Sequence, residues 1–259
     1  MQCRYSKKMR IKFNKEIEFF FKKYFLPKTY LLKKRIKRSI KNNDEYEIKL
    51  VKNFIKKGTD SLDIGVYRGV YSYEMSKYSQ TVHSFEPNPI IFNDLKKNLK
   101  KIIPNMILYN YALSNRSENL ELKVPIRNQN VNRENYEEYY EMGKATIHED
   151  NVFDNYERFK IYTKELDELN FDNLISFIKI DVEGHEEQVI KGAKKTISKH
   201  KPVMLVEIEE RFTKKKVSET INFINKLGYE SHYFDNKSLK NTKNLQNFNS
   251  INNYIFLPK

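Results

Sequence analysis

The residues best suited to chemistry stand at the ends of short apolar runs. Asp63, Gly65, Tyr67 and Gly69 lie at the end of the run 61–66 and open a segment with helical spacing. Glycines in such a turn let the backbone approach a ligand closely. Asp63 takes the place of the first glycine in the G-x-G-x-x-G dinucleotide fingerprint, and its carboxylate would repel a pyrophosphate. The turn suits a cofactor with a cationic sulfonium and an α-amino group, which favours S-adenosylmethionine over a dinucleotide.

A second acidic position follows the next apolar run, 82–85, in the segment Glu86, Pro87, Asn88. Glu86 lies 23 residues after Asp63, where an acidic side chain at a strand end accepts hydrogen bonds from ribose hydroxyls. Each feature alone is common, because many strands end in an Asp-x-Gly turn or in Glu-Pro. Their joint spacing predicts a site for a cofactor that contains a ribose.

The third apolar run, 106–111, leads into Ala112 and Leu113. Its position predicts that backbone and amide groups here meet the edge of the adenine. Asn110 is the candidate for a polar contact, and Ala112 is placed in the same cofactor site. A role in the core fits Ala112 and Leu113 equally well.

The densest polar cluster follows the run 175–180 and contains Asp181, Glu183 and His185. Because the carboxyl ends of the strands form the ligand crevice of an open α/β sheet, these side chains are expected beside the cofactor. His185 is the candidate general base that is neutral at pH 7, with a structural role at a helix start as the alternative. Asp181 is the best-placed carboxylate for catalysis and for cofactor contact, and Glu183 is the third catalytic candidate.

Glu207 ends the following apolar run, 203–208, and could face the same crevice. Asp181 with Glu183 or Glu207 could hold Mg²⁺ through oxygen ligands. Nothing in the spacing requires a metal. Glu186 is interpreted as an acid favoured by the N-terminus of a helix.

The elements that must position these residues alternate along the chain. Apolar runs predict buried parallel strands over 61–66, 82–85, 106–111, 175–180 and 203–208, and helical spacing predicts crossover helices over 69–79, 89–101 and 185–198. A helix over 215–227, a short strand over 120–124 and a terminal strand pair, 229–234 and 253–257, complete the pattern. The fold class predicted is a doubly wound, mostly parallel α/β sheet with helices on both faces.

One stretch interrupts this alternation. Residues 127–155 are polar and Asn- and Glu-rich, and the tyrosines in and beside them are Tyr136, Tyr139, Tyr140 and Tyr156. A long insertion of this kind is usually a lid, a binding loop or disordered. We expect it to form part of the acceptor pocket, because tyrosine rings stack on sugars.

The basic charge is concentrated at the N-terminus. Residues 1–60 hold 19 of the 48 Lys and Arg but only 6 of the 34 Asp and Glu, a net charge of +13 within the +14 of the chain. Helical spacing predicts helices over 11–26, 30–41 and 46–57, so we divide the chain into a basic helical extension, 1–57, and an α/β domain, 58–259.

The charge of the extension suggests an anionic partner, such as lipid head groups, nucleic acid or a phosphorylated substrate, and a solvated basic helical face is the alternative. One hypothesis is peripheral attachment to an anionic membrane, such as the inner face of the cell membrane. In the alternative, the Phe-rich stripe 13–25 packs against the domain or a second subunit. The single cysteine, Cys3, excludes an intrachain disulfide, and a cytoplasmic location fits.

Together these motifs resemble the FkbM-type methyltransferases. The resemblance rests on 62–65, 85–88, 112–114 and 179–186 followed by 191–193, and it spans about residues 58–210. It implies a Rossmann-like domain that uses S-adenosylmethionine to methylate oxygen, often a sugar hydroxyl in a polysaccharide or a glycosylated natural product. Val66-Tyr67 departs from the family, which commonly has a small residue followed by Asn.

Two other functions remain open from the sequence. The basic N-terminus would suit an RNA methyltransferase, although the nearly neutral remainder of the chain argues against a nucleic-acid partner. A nucleotide-binding protein that kept the fold and lost the chemistry is the second alternative.

Overall fold

The computed structural model describes residues 26–42, 46–148, 153–212, 215–235, 238–245, 247–248 and 251–259. Within these residues the strands are β1 (Asp60–Ile64), β2 (Val82–Phe85), β3 (Met106–Tyr109), β4 (Ala112–Leu113), β5 (Asn119–Pro125), β6 (Tyr156–Lys164), β7 (Ile175–Ile180), β8 (Val203–Glu207), β9 (Tyr229–Phe234), β10 (Leu239–Asn241) and β11 (Asn253–Pro258).

The α-helices of the same residues are α1 (Lys28–Asn42), α2 (Val51–Phe54), α3 (Val70–Met75), α4 (Pro89–Asp94), α5 (Tyr136–Tyr139), α6 (Glu186–Lys191), α7 (Lys194–His200) and α8 (Val217–Asn225). Short 3₁₀ turns occupy Tyr46–Leu50, Met142–Lys144, Leu166–Glu168, Glu210–Phe212 and Thr242–Asn244, and a π turn, Leu95–Leu99, continues α4.

Eight strands form one sheet in the order β10-β9-β11-β8-β7-β1-β2-β3. Strands β3, β2, β1, β7 and β8 are parallel, and β11 pairs antiparallel with both β8 and β9. The strand order reverses between β1 and β7, which is the position where open α/β sheets bind ligands. This confirms the predicted fold class and the terminal strand pair.

Helices cover both faces of the sheet. On one face α6, α7 and α8 pack Val189, Ile197 and Ile221 against the apolar side chains of β1 and β7. On the other face α2 and α3 pack Val51 and Met75 against β7, β8 and β11. Because both faces are covered, every residue of β1 and β7 is buried, including the polar residues Asp60, Ser61, Asp63, Ser176 and Lys179.

The helix predicted over 185–198 is two helices, α6 and α7. The backbone N–H groups of Lys195 and Thr196, at the start of α7, both donate to the carboxylate of Asp167 at 2.8 Å. Asp167 therefore caps a new helix after Gly192, and sequence spacing alone does not reveal this distant cap.

A second sheet has the order β4-β6-β5. Strand β5 is the predicted strand 120–124 with one more residue at each end, and it pairs antiparallel along its length with β6. The prediction missed β6, although its residues alternate between half-buried and exposed positions at its N-terminal end. This sheet carries the segment predicted as an insertion, 127–155, between its two long strands.

The N-terminal helix α1 packs against the α/β domain. Leu32 and Ile36 are buried against Leu95 and Leu99, while most of the basic residues of α1 are exposed. Residues 11–25, which hold most of the first predicted helix and the Phe-rich stripe, lie outside the described residues. Among the helices that the structure describes, none is long and apolar enough to cross a membrane.

Candidate functional site

The turn after β1 brings two strands unusually close. Gly65 has φ +92°, and a Cβ atom at this position would stand 1.8 Å from the carbonyl oxygen of Asp181. The neighbouring backbone is held by hydrogen bonds from Gly65 N to Phe85 O at 3.0 Å and from Asp181 N to Ile64 O at 2.9 Å. Only glycine fits here without displacing a strand.

Glu86 is 5% exposed at the end of β2. Its two carboxylate oxygens accept hydrogen bonds from the backbone N–H groups of Tyr67 and Asn88, both at 2.9 Å. Burial nevertheless raises the pKa of Glu86 to about 7, and the two N–H donors oppose this rise. The backbone around Glu86 therefore fixes the carboxyl group in position at the edge of the site.

Asp63 is 1% exposed and points away from the turn toward α3. Its carboxylate accepts a hydrogen bond of 2.5 Å from Ser72 Oγ, which also contacts Ser84 Oγ at 2.9 Å. Burial raises the pKa of Asp63 to about 7, against the lowering effects of Ser72 and of Lys179. Asp63 is thus part of a polar cluster beneath the turn.

A buried ammonium group lies beneath the end of β7. Lys179 is 1% exposed, and its Nζ lies 3.8 Å from Asp181, 3.5 Å from Glu207 and 3.4 Å from Asn253 Oδ1. Burial raises the pKa of Asp181 to about 7, Lys179 opposes the rise, and Glu207 adds to it. The Asp181 side chain keeps 32% of its surface exposed.

Glu183 and His185 follow in the loop before α6. Burial raises the pKa of Glu183 to about 9, and the nearby Asp181 and Glu207 add to the rise, so Glu183 is protonated at neutral pH. Burial lowers the pKa of His185 to about 4, so His185 is neutral. Its Nε2 lies 2.9 Å from Ser114 Oγ.

Glu86, Asp181, Glu183 and His185 meet in one cleft at the carboxyl ends of β1, β2, β4 and β7, of about 720 Å³ with its solvent-filled mouth included. The cleft is lined by Ile64, Gly65, Tyr67, Phe85, Glu86, Pro87, Ile91, Ala112, Leu113, Leu122, Met142, Gly143, Ala145, Thr146, Ile147, Asp181, Val182, Glu183 and His185. Three carboxyl groups stand among mainly apolar walls.

Residues 142–147, from the predicted insertion, form one wall of this cleft. Thr146 Oγ1 donates to the carbonyl of Glu183 at 2.7 Å, and the backbone of Thr146 pairs with Lys123 on β5. Asn88 Nδ2 contacts Met142 Sδ at 3.3 Å. The segment is therefore tied to the loops that follow β2 and β7, and it covers the site.

The structure brings together eight of the residues predicted for the site, namely Gly65, Tyr67, Glu86, Pro87, Ala112, Asp181, Glu183 and His185. Asp63, Gly69, Asn88, Asn110 and Glu207 are not among the residues that line the cleft. Asp63 and Glu207 belong to the buried polar cluster around Lys179. Of the predicted tyrosines, Tyr136 and Tyr140 line a neighbouring cavity instead.

The other three positions are used by the fold. Gly69 begins α3 and packs against Leu99. Asn88 caps α4 by accepting from Ile90 N at 3.0 Å, and Pro89 follows at the first helical position. Asn110 Nδ2 donates to the backbone carbonyls of Glu86 and Pro87 at 3.0 and 3.3 Å, so its amide supports the β2 turn.

The sequence interpretation missed the apolar wall formed by Phe85, Ile91, Leu122 and Met142. These side chains carry no chemical signal, and three of them come from elements that join the cleft only after folding. It also gave no role to Lys179. A lysine within a mostly apolar strand is a sequence signal for a buried cation, which must be paired with carboxylates.

The geometry around Asp181 and Glu207 bears on the suggested Mg²⁺ site. Lys179 Nζ lies within 4 Å of both carboxylates and already supplies their positive partner. The described residues contain no group of three or more His, Cys, Asp or Glu side chains arranged to hold a metal. We therefore do not propose these two residues as metal ligands.

Solved structures with a similar fold include a methyltransferase FkbM from Methylobacillus flagellatus KT, with 15% identity, a TM-score of 0.49, and coverage of 77% of this chain and 43% of that one. The chain therefore spans less than half of that relative. A Streptococcus mutans protein solved in complex with SAH has 10% identity, a TM-score of 0.47, and coverage of 82% and 94%. An rRNA methylase from Streptococcus thermophilus has 8% identity, a TM-score of 0.43, and coverage of 82% and 92%. No functionally curated protein matches the sequence.

The family of this chain is assigned by a family model and not by these distant structures. The model of the methyltransferase FkbM domain matches residues 63–231, which include the turn after β1, Glu86, the cluster after β7 and the insertion. The match extends beyond the stretch of about 58–210 expected from the motifs. Because it covers well over half of the sequence, the chain belongs to the FkbM methyltransferase domain family, a family of S-adenosylmethionine-dependent methyltransferases.

Proposed function

We propose that the protein transfers a methyl group from S-adenosylmethionine to a hydroxyl group of a sugar or glycan. The observation that carries this proposal is the cleft at the switch point of the sheet, where Glu86, Asp181 and Glu183 stand among apolar walls. In this proposal, the cofactor binds on one side of the cleft and the acceptor binds on the other.

The residues present fit the cofactor. Each carboxylate oxygen of Glu86 accepts one backbone N–H, which leaves a further lone pair on each oxygen for the ribose hydroxyls. Phe85, Ala112 and Leu113 supply apolar surface suited to an adenine ring. The acidic lining suits the positive charge of a sulfonium, and the close approach at Gly65 leaves the backbone of the turn accessible to a ligand.

S-adenosylmethionine, when bound, supplies an electrophilic methyl group for an in-line displacement. The task of the chain is to hold the acceptor oxygen about 3 Å from that carbon and in line with the bond that breaks. Residues 142–147 form the wall that would exclude water and align the acceptor. Their hydrogen bond from Thr146 to Glu183 places this wall beside the carboxyl groups.

An alcohol needs help to lose its proton, and of the two cleft residues Asp181 and His185 the directions of the pKa shifts favour Asp181 as the base. A general base is most effective when its pKa is near the working pH. The pKa of Asp181 is about 7, whereas the pKa of His185 is about 4. His185, held by Ser114, is better suited to orienting the acceptor, and the protonated Glu183 can donate a hydrogen bond to an acceptor oxygen.

The acidic cleft also favours a sugar over RNA. The protonated Glu183 offers a hydrogen-bond donor and Glu86 and Asp181 offer acceptors, so a hydroxyl-rich acceptor finds both there. Of the two alternatives, an inactive nucleotide-binding protein would bind the cofactor without transfer.

Calorimetry with S-adenosylhomocysteine tests the cofactor assignment. Glu86→Ala should weaken binding by about tenfold or more, because a charged hydrogen-bond partner is lost at about 1.5–3 kcal/mol. Glu121→Ala is the matched control, because it removes an exposed carboxylate on β5 outside the cleft. Unchanged affinity in a folded Glu86→Ala protein would refute the assignment.

Transfer of a labelled methyl group to a panel of neutral and acidic glycans tests the reaction itself. Incorporation that is stable to mild base, as an ether is, supports O-methylation of a sugar. Cofactor binding without transfer to any glycan, together with transfer to RNA, would assign the chain to the alternative class.

A further inference from the structure

A second cavity, of about 490 Å³, adjoins the cofactor cleft. Tyr67, Ile91 and Met142 line both cavities, so the two meet at these side chains. Leu32 and Arg35 of α1 form part of the second wall, which gives the N-terminal helix a place beside the site.

The second cavity differs from the first in charge. Its lining includes Arg35, Arg68 and Arg127, with the acids Asp94 and Glu137. Arg35 Nη1 is 2.6 Å from Glu137, so these two charges offset each other.

The remaining acid is also engaged, because Asp94 accepts from Asn98 Nδ2 at 2.9 Å and from the hydroxyl of Tyr136. Arg68 lies 5.0 Å from the centre of the Tyr67 ring. Within the described residues, neither Arg68 nor Arg127 forms an ion pair with a carboxylate. Two guanidinium groups in the cavity are therefore available to a ligand.

We propose that this cavity, defined by Arg68 and Arg127, binds an oxyanion group of the methyl acceptor. The acceptor would then be a sugar that carries a phosphate or a carboxylate. This inference rests on the proposed function and deepens it. The acceptor hydroxyl enters the acidic cleft, and its anionic group lies past Tyr67 in the basic cavity.

The charges of the two cavities orient the acceptor. Guanidinium groups donate paired hydrogen bonds that match the geometry of phosphate and carboxylate oxygens. In the first cleft Glu183 is neutral, but the ionised fractions of Glu86 and Asp181 repel the same oxyanion. An acidic sugar is thus attracted in one orientation only, whereas a neutral sugar would find no charge-assisted contact in the second cavity.

The test compares probes of equal size and different charge. Glucose 1-phosphate, glucuronate and glucose are titrated into the protein saturated with S-adenosylhomocysteine, and binding is followed by calorimetry or ligand-observed NMR. We expect one or both anions to bind at least tenfold more tightly than glucose. The stronger of the two anions identifies the phosphate or the carboxylate as the recognised group.

The variant Arg68→Gln/Arg127→Gln should lose this preference, while it retains its affinity for S-adenosylhomocysteine. Arg116→Gln/Arg158→Gln is the control, because it removes the same charge from exposed positions outside both cavities. The control should keep the preference for the anions.

Three results would overturn the inference. The first is that neither anion binds more tightly than glucose. The second is an equal loss of anion binding in the two double variants, which would show that only net charge matters. The third is a loss of S-adenosylhomocysteine affinity in Arg68→Gln/Arg127→Gln, which would place the arginines on the cofactor. Failure of the unmutated protein to bind S-adenosylhomocysteine would instead contradict the proposed function itself.

Discussion

Substitution of Gly65 separates the effect of close strand approach from that of backbone conformation. Gly65 has φ +92° and Gly228 has φ +91°, so alanine is equally strained at both positions. A Cβ at Gly228 would meet nothing within 4 Å, whereas one at Gly65 would stand 1.8 Å from Asp181 O. Gly228→Ala is therefore a matched control for Gly65→Ala.

The expected difference follows from these contacts. The left-handed conformation costs an alanine about 1–2 kcal/mol in either variant. At Gly65 the added Cβ must also push the strands β1 and β7 apart by roughly 1 Å. Overpacking of this kind costs about 1–3 kcal/mol. The hydrogen bond from Asp181 N to Ile64 O then weakens, at about 1 kcal/mol. We expect a total loss of about 3–6 kcal/mol for Gly65→Ala.

Urea unfolding of the two variants and of the unmutated protein measures the free energy of unfolding. Calorimetry with S-adenosylhomocysteine then measures the cofactor site in whichever variants are folded. Gly228→Ala should keep its affinity, and Gly65→Ala should lose it, because the displaced backbone belongs to the cleft. Equal destabilisation in the two variants would show that the close approach to Asp181 has no energetic consequence.

Three further predictions concern single side chains. Asp181→Asn should lower the rate of methyl transfer by about 10²-fold or more, with little change in S-adenosylhomocysteine affinity. The rate of the unmutated protein should rise as pH passes through about 7, where Asp181 loses its proton. A rate independent of pH would argue against Asp181 as the base. Asp63 has a folded-state pKa of about 7, above its ordinary value of 3.8, so its contribution to stability is fully present below about pH 4 and is lost as pH rises toward 7. Asp63→Asn should therefore reduce the loss of stability between pH 5 and pH 8 by up to about 3 kcal/mol in urea unfolding, because the loss is about 1.4 kcal/mol per pH unit from pH 5 to 7. An unchanged pH dependence would contradict this. Thr146→Val and Thr163→Val each remove a buried hydroxyl bonded to backbone, which should cost about 1–3 kcal/mol of stability. Only Thr146→Val should weaken ligand binding, since of the two threonines Thr146 alone lines the cleft. Equal ligand affinity in the two variants would show that residues 142–147 make no contribution to binding.

Much of the central sheet follows from local patterns. Buried parallel strands need mostly apolar side chains on both faces, so β7 and β8 appear as largely apolar runs in the sequence. Strands β1 and β2 are mixtures of apolar residues and buried polar ones. The residues just after such runs must meet at the carboxyl edge of the sheet. This geometry is enough to place Gly65, Glu86 and Asp181 in one site without any knowledge of loops.

The direction of a polar side chain at a strand end is not a local property. Asp63 and Asn110 have the residue types of ligand contacts. In the structure, however, Asp63 accepts a hydrogen bond from Ser72, and Asn110 donates to the backbone carbonyls of Glu86 and Pro87. Which partner a side chain reaches depends on the register of neighbouring strands and on the helix packed above. Sequence spacing carries neither.

The tertiary structure also decided the chemical state of the site and its boundaries. Asp181 and His185 have ordinary pKa values in an unfolded chain, and their opposite shifts arise because distant segments bury both groups. Residues 142–147 and the helix α1 are far from the motifs in sequence, yet they form walls of the two cavities. In the sequence, their apolar and basic residues have the same pattern as an ordinary solvent-exposed surface. They line a cavity only after folding packs them beside Tyr67, because several segments together form each cavity.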